Sequence, residues 1–311
     1  MLICYMLKVE KISFSYIDKI TLSNINFNLK KGNILGVIGE SGCGKSTLLK
    51  CIYGLYDLDE GAIYWDKTQI LGPKFNLIPG MEFIKYLAQD FDLMPHITVA
   101  ENVGKYLSNI YKDKKLQRIY ELLELVEMAE YAQNKAKFLS GGQMQRVALA
   151  KTIALKPEVL LLDEPFSHID NFRKNNLRRK LFSYLKEKNI TTIIATHDSS
   201  DVLSFSDEIV ILKNGNLIEH GTPKMIYKNP KNYYVASLFD DVNEIIINSE
   251  KKLIYPNQLK IVSKSSILAT IVNTYFKGNY YLIEALYNNQ KIYFFNDFTI
   301  KKNEKVYLDI K

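Results

Sequence analysis

The sequence predicts an α/β fold with a mostly parallel, doubly wound sheet, followed by a small all-β domain of barrel type. Short apolar strands alternate with helical segments through most of the chain, which is typical of βαβ units. A glycine-rich loop at residues 39–47 joins one of these strands to a helix. After about residue 239 the helical periodicity gives way to short strands separated by turns.

The first predicted elements are antiparallel strands, because apolar and polar side chains alternate through residues 7–30. A short buried strand at 33–38 leads into the glycine-rich loop, and a helix is predicted at 45–53. Apolar side chains at helical spacing predict a helical subdomain over about 90–150. Apolar runs predict the remaining strands of this part at 62–65, 83–88, 159–162 and 192–195.

Asn214 and Gly215 predict a hairpin turn between strands at 209–212 and 217–219. Short helical pieces are expected around residues 222–230. The domain boundary is predicted at 238/239, which gives domains of residues 6–238 and 239–311. The second domain is expected to contain strands at 245–247, 253–255, 268–272, 280–286, 291–295 and 306–310.

Composition restricts the function classes. The longest apolar runs are too short to span a bilayer, and no signal peptide is visible. Cys4, Cys43 and Cys51 have neither metal-site nor disulfide spacing, which indicates a reducing cytosol. The net charge of +7 comes mostly from scattered lysines, and no nucleic-acid partner is expected. The tightest basic cluster reads as a solvated helix face and comprises Arg173, Lys174, Arg178, Arg179 and Lys180.

The loop GESGCGKST has the strand–loop–helix context of a phosphate-binding P-loop. Its backbone N–H groups would surround phosphate oxygens at the positive end of the helix dipole. Lys45 would reach the β- and γ-phosphates, Ser46 would bind Mg²⁺, and Thr47 would lie near the α-phosphate. The nucleotide-binding residues predicted here are Gly39, Glu40, Ser41, Gly42, Cys43, Gly44, Lys45, Ser46 and Thr47.

The segment LLLDEP ends a buried strand in two carboxylates that point to different places, because a strand alternates its faces. Asp163 is suited to the Mg²⁺ shell, and Glu164 is suited to polarising an attacking water.

A second candidate anion site occurs in KFLSGGQMQR, again at the start of a helix. Its candidate binding residues are Ser140, Gly141, Gly142 and Gln143. The same residues are also compatible with an ordinary helix whose N-terminus is capped by serine. Because one γ-phosphate does not need two loops on the same side, the second loop is expected to serve a nucleotide held by another copy of the chain.

In this order and context, the motifs of residues 6–239 resemble those of the nucleotide-binding subunit of an ATP-binding cassette (ABC) transporter. GESGCGKST resembles Walker A, LSGGQ the signature, LLLDEP Walker B and SHID the D-loop. Gln89 resembles the Q-loop glutamine, His197 the switch histidine, and Tyr16 the aromatic residue that stacks on adenine.

The resemblance implies ATP and Mg²⁺ as ligands, and a head-to-tail homodimer with two ATP molecules between the chains. Ser140 and Gly142 would then act in trans, and Asp170 would couple the two sites. Gln89 would lie beside the Mg²⁺ and the attacking water, and His197 would hold the γ-phosphate. Glu164 would polarise that water for hydrolysis.

The resemblance further implies separate permease subunits and a solute-binding protein as partners, with this chain at the cytoplasmic face of the membrane. A free-standing cassette favours an importer of small solutes or ions, and the C-terminal segment resembles an OB/TOBE-type domain. An exporter with a separate permease, or a soluble ABC ATPase acting on ribosomes or DNA, remains the alternative.

Four positions depart from the usual pattern or are ambiguous. His168 stands in the D-loop where the family commonly has leucine, and it reads as a tolerated loop side chain. Oxidation of Cys43 would crowd the phosphates, which indicates a sensitivity rather than a sensor. His96 and His220 read as surface or turn residues.

Overall fold

The computed structural model describes residues 6–17, 19–247 and 250–311. The chain divides into two compact units, one ending at Pro223 and the other comprising Lys224–Lys311. The domain boundary at 238/239 stays a prediction, and Cys4 lies outside the described residues.

The first unit contains ten strands and six helices among the described residues. In chain order these are β1 (Met6–Tyr16), β2 (Lys19–Lys30), β3 (Ile34–Ile38), α1 (Lys45–Tyr53), β4 (Glu60–Trp65), β5 (Thr68–Gln69), β6 (Ile84–Leu87), α2 (Val99–Gly104), α3 (Lys112–Leu125), α4 (Gly141–Ile153), β7 (Val159–Asp163), α5 (Asn171–Glu187), β8 (Thr191–Thr196), α6 (Ser199–Phe205), β9 (Glu208–Lys213) and β10 (Asn216–Gly221).

Two sheets organise this unit, as the α/β prediction requires. A six-stranded sheet has the order β10-β9-β3-β8-β7-β6, in which β3, β6, β7, β8 and β9 run parallel. An antiparallel sheet has the order β2-β1-β4-β5. The two-residue strand β5 is absent from the sequence prediction, because two polar residues carry no periodicity.

The central strands are buried on both faces, which explains their continuous apolar sequence. Leu160 and Leu162 of β7 pack into a core with the helices α2–α5. Val159 and Leu161 point to the other face, into a core formed with α1 and the antiparallel sheet. Alternation along one strand therefore joins the two cores of the unit.

The predicted helical subdomain consists of α2, α3 and α4 with intervening loops. Thr98 and Glu101 form a capping box that starts α2: the Thr98 side chain accepts from the Glu101 N–H, and Glu101 accepts from the Thr98 N–H. Apolar side chains of α3, including Ile119 and Leu122, are buried in one core with side chains of α2 and α4. No described helix of the chain combines the length and the apolar character needed to cross a membrane.

The second unit is mainly β, which confirms the predicted all-β character. From the boundary onward, where the first helix begins at the last residue of the first unit, the elements are α7 (Pro223–Lys228), α8 (Tyr233–Ser237), β11 (Asn243–Ile247), β12 (Glu250–Ile254), β13 (Leu259–Val262), β14 (Ile267–Phe276), β15 (Tyr281–Tyr287), β16 (Gln290–Asn296) and β17 (Lys305–Ile310). Its larger sheet has the order β13-β17-β14-β15-β16, and β11 pairs with β12. No described strand pair joins β13 to β16, so hydrogen bonding alone does not close the predicted barrel.

Asn243 connects β11 to the edge strand β16. Its side chain is 1% exposed, donates to the Tyr293 carbonyl at 2.7 Å and accepts from the Tyr293 N–H at 2.6 Å. The side-chain amide therefore pairs with the backbone N–H and C=O of Tyr293, as the backbone of a neighbouring strand would.

We expect Asn243→Ala to lower the free energy of local opening at β16 by about 2 kcal/mol, because two buried backbone groups lose their partner. Hydrogen–deuterium exchange of the β16 amides measures this effect. Asn257→Ala is the matched control, because Asn257 is exposed and makes one long contact of 3.5 Å to Tyr227. Equal exchange in both variants would contradict the role of Asn243.

Candidate functional site

The P-loop lies between the carboxyl end of β3 and the first residue of α1. Gly42 and Gly44 have φ angles of 78° and 107°, a region that favours glycine. A Cβ on Gly44 would also approach the Thr21 carbonyl to 3.0 Å. The loop therefore adopts a backbone path that side chains would oppose, and its N–H groups gather at the start of α1.

Lys45 is held across the mouth of this loop. Its ammonium donates to the carbonyls of Gly39 at 2.8 Å and Glu40 at 3.0 Å, and the residue is 8% exposed. Nearby, burial raises the pKa of the Cys43 thiol above its ordinary value. Thiolate is therefore scarce at neutral pH, which disfavours a redox-sensor role for Cys43.

Asp163 lies behind the loop and is 2% exposed. The Ser46 hydroxyl donates to Oδ1 at 3.0 Å, and the Tyr86 hydroxyl donates to Oδ2 at 3.1 Å. Burial raises the pKa of Asp163, and these two hydrogen bonds oppose that shift. A cation beside the carboxylate would relieve the cost of burying its charge.

The donor set fits Mg²⁺. Ser46 and Asp163 supply hard oxygen atoms, and no cluster of three or more His, Cys, Asp or Glu side chains suited to a metal occurs among the described residues. Mg²⁺ commonly uses one or two protein oxygens together with substrate phosphates and water. Gln89 lines the same cavity as Ser46.

Glu164 and His197 meet at the carboxyl ends of β7 and β8. His197 Nδ1 lies 2.8 Å from Glu164 Oε1, and because an ionised carboxylate only accepts, Nδ1 carries the proton in this pair. The Glu164 side chain is 15% exposed and that of His197 is 70% exposed. Glu164 has a φ of 50°, so its side chain leaves the strand direction and faces the cavity.

Glu164 borders a cavity of about 590 Å³, a size typical of small-ligand sites. His197 instead lines a small cavity of about 50 Å³, which Glu164 also borders. The Tyr16 hydroxyl lies 3.4 Å from Thr47 Oγ1, and its ring packs edge-on against Phe14 and Tyr56. The residue is 40% exposed, which leaves ring surface available to a flat ligand. The predicted residues that line the larger cavity are Tyr16, Ser41, Gly42, Gly44, Lys45, Ser46, Thr47, Gln89 and Glu164.

The second predicted loop borders a different cavity, of about 180 Å³. Ser140 caps α4: its hydroxyl accepts from the Gln143 N–H at 3.3 Å, and Gln143 Oε1 accepts from the Ser140 N–H at 2.8 Å. Gly142, Asp170 and Arg173 line the same cavity. The predicted residues that line cavities therefore fall into two groups, one around Lys45 and one around Ser140.

The D-loop connects these groups through contacts that the sequence did not predict. A Cβ on Gly142 would lie 2.6 Å from the His168 carbonyl oxygen, so the second loop packs on the D-loop backbone. Gln145 is 2% exposed, donates to the Glu164 carbonyl at 2.8 Å and accepts from the His168 N–H at 3.0 Å. The His168 ring meets the Phe91 ring edge-on at 5.3 Å.

Two interpretations from the sequence are corrected by contacts. Arg178 is 4% exposed and forms ion pairs of 2.5 Å with Asp198 and Asp201, so the basic cluster is not wholly a solvated face. Burial raises the pKa of Asp201 to about 6 despite this partner. His220 has a partner as well, because its Nε2 lies 2.8 Å from the Glu208 carboxylate.

A family model described as ABC transporter matches residues 22–167. The spermidine/putrescine import ATP-binding protein PotA of Pasteurella multocida is 35% identical over 240 residues, which are 76% of this chain and 64% of that protein. The Fe(3+) ions import ATP-binding protein FbpC of Fusobacterium nucleatum is 33% identical over 276 residues, 88% of this chain and 72% of that protein. The chain thus spans less than two thirds of the first relative's length.

Solved structures agree on the fold. CbiO1 from Clostridium perfringens, part of the ABC transporter complex cbiONQ, superposes with a TM-score of 0.64 at 31% identity, over 73% of this chain and 92% of that chain. The cassette MJ0796, a dimer bound to ADP and Pi, gives a TM-score of 0.62 at 29% identity, over 70% and 98%. The fold and site define an ATP-binding cassette of the P-loop class. The chain belongs to the family of ABC transporter ATP-binding proteins.

Proposed function

We propose that this chain is the ATP-hydrolysing subunit of an ABC importer and works as a head-to-tail homodimer. The observation that carries the proposal is the division of the nucleotide-binding motifs between two cavities of one chain. Residues of the phosphate-binding loop and Glu164 border the cavity of Lys45, whereas Ser140 and Gly142 border the other cavity. In a head-to-tail dimer, the Ser140 loop of one copy would lie against the nucleotide held by the Lys45 loop of the other copy. Each nucleotide would then contact both loops.

In the proposed reaction the Lys45 ammonium gives up its hydrogen bonds to the Gly39 and Glu40 carbonyls and binds the β- and γ-phosphates of ATP instead. Ser46 and Asp163 would hold Mg²⁺, which would supply neutralising charge to the phosphates. The Glu164 carboxylate polarises the attacking water at the cavity edge. His197, whose Nδ1–H points to Glu164, would hold the γ-phosphate through Nε2–H, and this requires the doubly protonated ring because both nitrogens then donate.

A separate membrane permease is the proposed partner, at the cytoplasmic face of the membrane. A groove of about 300 Å³ beside the nucleotide cavity supports this part of the proposal, and we call it the side groove. It is lined by Tyr53, Lys85, Tyr86, Phe91, Tyr106 and Lys151. Its floor includes the segment immediately after Gln89, where Phe91 and Asp92 have φ angles of 62° and 41°. Such backbone strain is common in segments that change conformation.

The proposed cargo is a small solute or ion that a solute-binding protein delivers. The names of the relatives support import but specify different cargoes, spermidine and putrescine in one case and Fe(3+) in another. The second unit is proposed to be a TOBE-like domain that follows the cassette.

A pull-down of the tagged full chain from its native membranes in mild detergent tests the proposal. A co-purifying polytopic membrane protein is expected, together with a solute receptor. Tyr106→Glu, which puts a charge into the side groove, is expected to release the permease, and Tyr120→Glu on the surface of α3 is the matched control. Ribosomal or DNA-repair proteins without a membrane partner would contradict the importer role.

Glu164→Gln is expected to bind ATP, to lower kcat at least about a hundredfold and to accumulate as a dimer, because the amide does not polarise water as the carboxylate does. Steady-state ATPase assays and size-exclusion chromatography with ATP measure these effects. Glu158→Gln, just before the same strand and paired with Lys31 at 3.0 Å, is the control. A fully active Glu164→Gln variant would remove Glu164 as the base.

Mixing Lys45→Ala chains with Ser140→Arg chains tests the composite site. Each variant alone is expected to be inactive. A mixed dimer should regain one intact site, formed by Lys45 of the second variant and Ser140 of the first, and should recover part of the ATPase activity. If both loops served the same chain's nucleotide, no mixed dimer would contain a working site and activity would stay at background.

A further inference from the structure

Tyr86 lies on β6, the edge strand of the parallel sheet, and its ring has two neighbours of different kinds. One side belongs to the side groove, where the ring centroid lies 5.6 Å from that of Tyr53. The hydroxyl points the other way and donates to Asp163 Oδ2 at 3.1 Å. The ring is therefore placed between the groove and the carboxylate that would bind Mg²⁺.

The hydrogen bonds of Asp163 are divided between its two oxygens. Ser46, a predicted Mg²⁺ ligand, contacts Oδ1, whereas Tyr86 contacts Oδ2. A partner on the far oxygen fixes the rotation of the carboxylate and so the direction in which the near oxygen presents its lone pairs.

We propose that Tyr86 is a positioning residue for Mg²⁺: its hydroxyl orients Asp163 so that Oδ1 faces the metal beside Ser46. The inference rests on the proposed function, because it concerns the same nucleotide site. In the simpler view the hydroxyl only satisfies a buried carboxylate. That view predicts a change in stability when the hydroxyl is removed, and no change in the response to Mg²⁺.

Tyr86→Phe separates these views, because it removes one oxygen atom and keeps the ring that packs in the groove. Binding of a fluorescent ATP analogue to the full-length chain is measured by titration in EDTA and in Mg²⁺. We expect the Kd in EDTA to stay within about twofold of wild type and the Mg²⁺ concentration for half-maximal tightening to rise about tenfold. The melting temperature without nucleotide is recorded for each variant.

Tyr53→Phe is the matched control. Tyr53 borders the same groove and contacts the Tyr86 ring, but among the described residues its hydroxyl makes no hydrogen bond to Asp163. We expect its Mg²⁺ response to equal that of wild type. A Tyr86→Phe chain with the wild-type response, or a Tyr53→Phe chain with the same loss, would overturn the role of Tyr86. A wild-type chain that binds no nucleotide would instead overturn the proposed function.

Discussion

The parallel register of β3, β7 and β8 is the constraint on which the nucleotide site depends. Ile38 is level with Thr196, and Asp163 is level with Ala195, so all three strands end at one edge of the sheet. Gly39, Glu164 and His197, the residues immediately after these strands, consequently meet without any long loop. A shift of one residue between β7 and β8 would turn Asp163 to the opposite face and separate it from Ser46.

A second constraint is electrostatic, because Asp163 is buried next to a loop built for anions. Its charge would repel a bound polyphosphate, and a cation between them would relieve this repulsion, which would link nucleotide binding to the proposed Mg²⁺. Tyr86 connects Asp163 to the side groove, since its hydroxyl donates to this carboxylate and its ring forms a wall of the groove. An occupant that turned this ring would withdraw a hydrogen bond from the Asp163 carboxylate. The groove and the proposed Mg²⁺ site therefore share one side chain.

The sequence allowed the prediction of the elements and of the local motifs, because both depend on short-range pattern. The P-loop, the capping serine of α4 and the turn at Asn214–Gly215 each need only a few neighbouring residues. The contacts between motifs were not predictable in this way. Tyr86 reaches Asp163 across strands 77 residues apart, and His168 meets Phe91 only after α4 and the D-loop have packed. Arg178 was misjudged because its acidic partners lie on another helix, α6, and at its cap.

The backbone of Glu164 has an evolutionary consequence. A glutamate at a φ of 50° costs the folded chain of the order of 1 kcal/mol relative to a glycine or an asparagine, which tolerate this region. Substitution by glycine or asparagine would thus tend to produce a protein that is more stable, at the cost of the proposed catalytic carboxylate. The stability of the fold therefore does not favour glutamate at position 164. In descendants that are no longer selected for ATP turnover, we expect this residue to be among the first to be replaced.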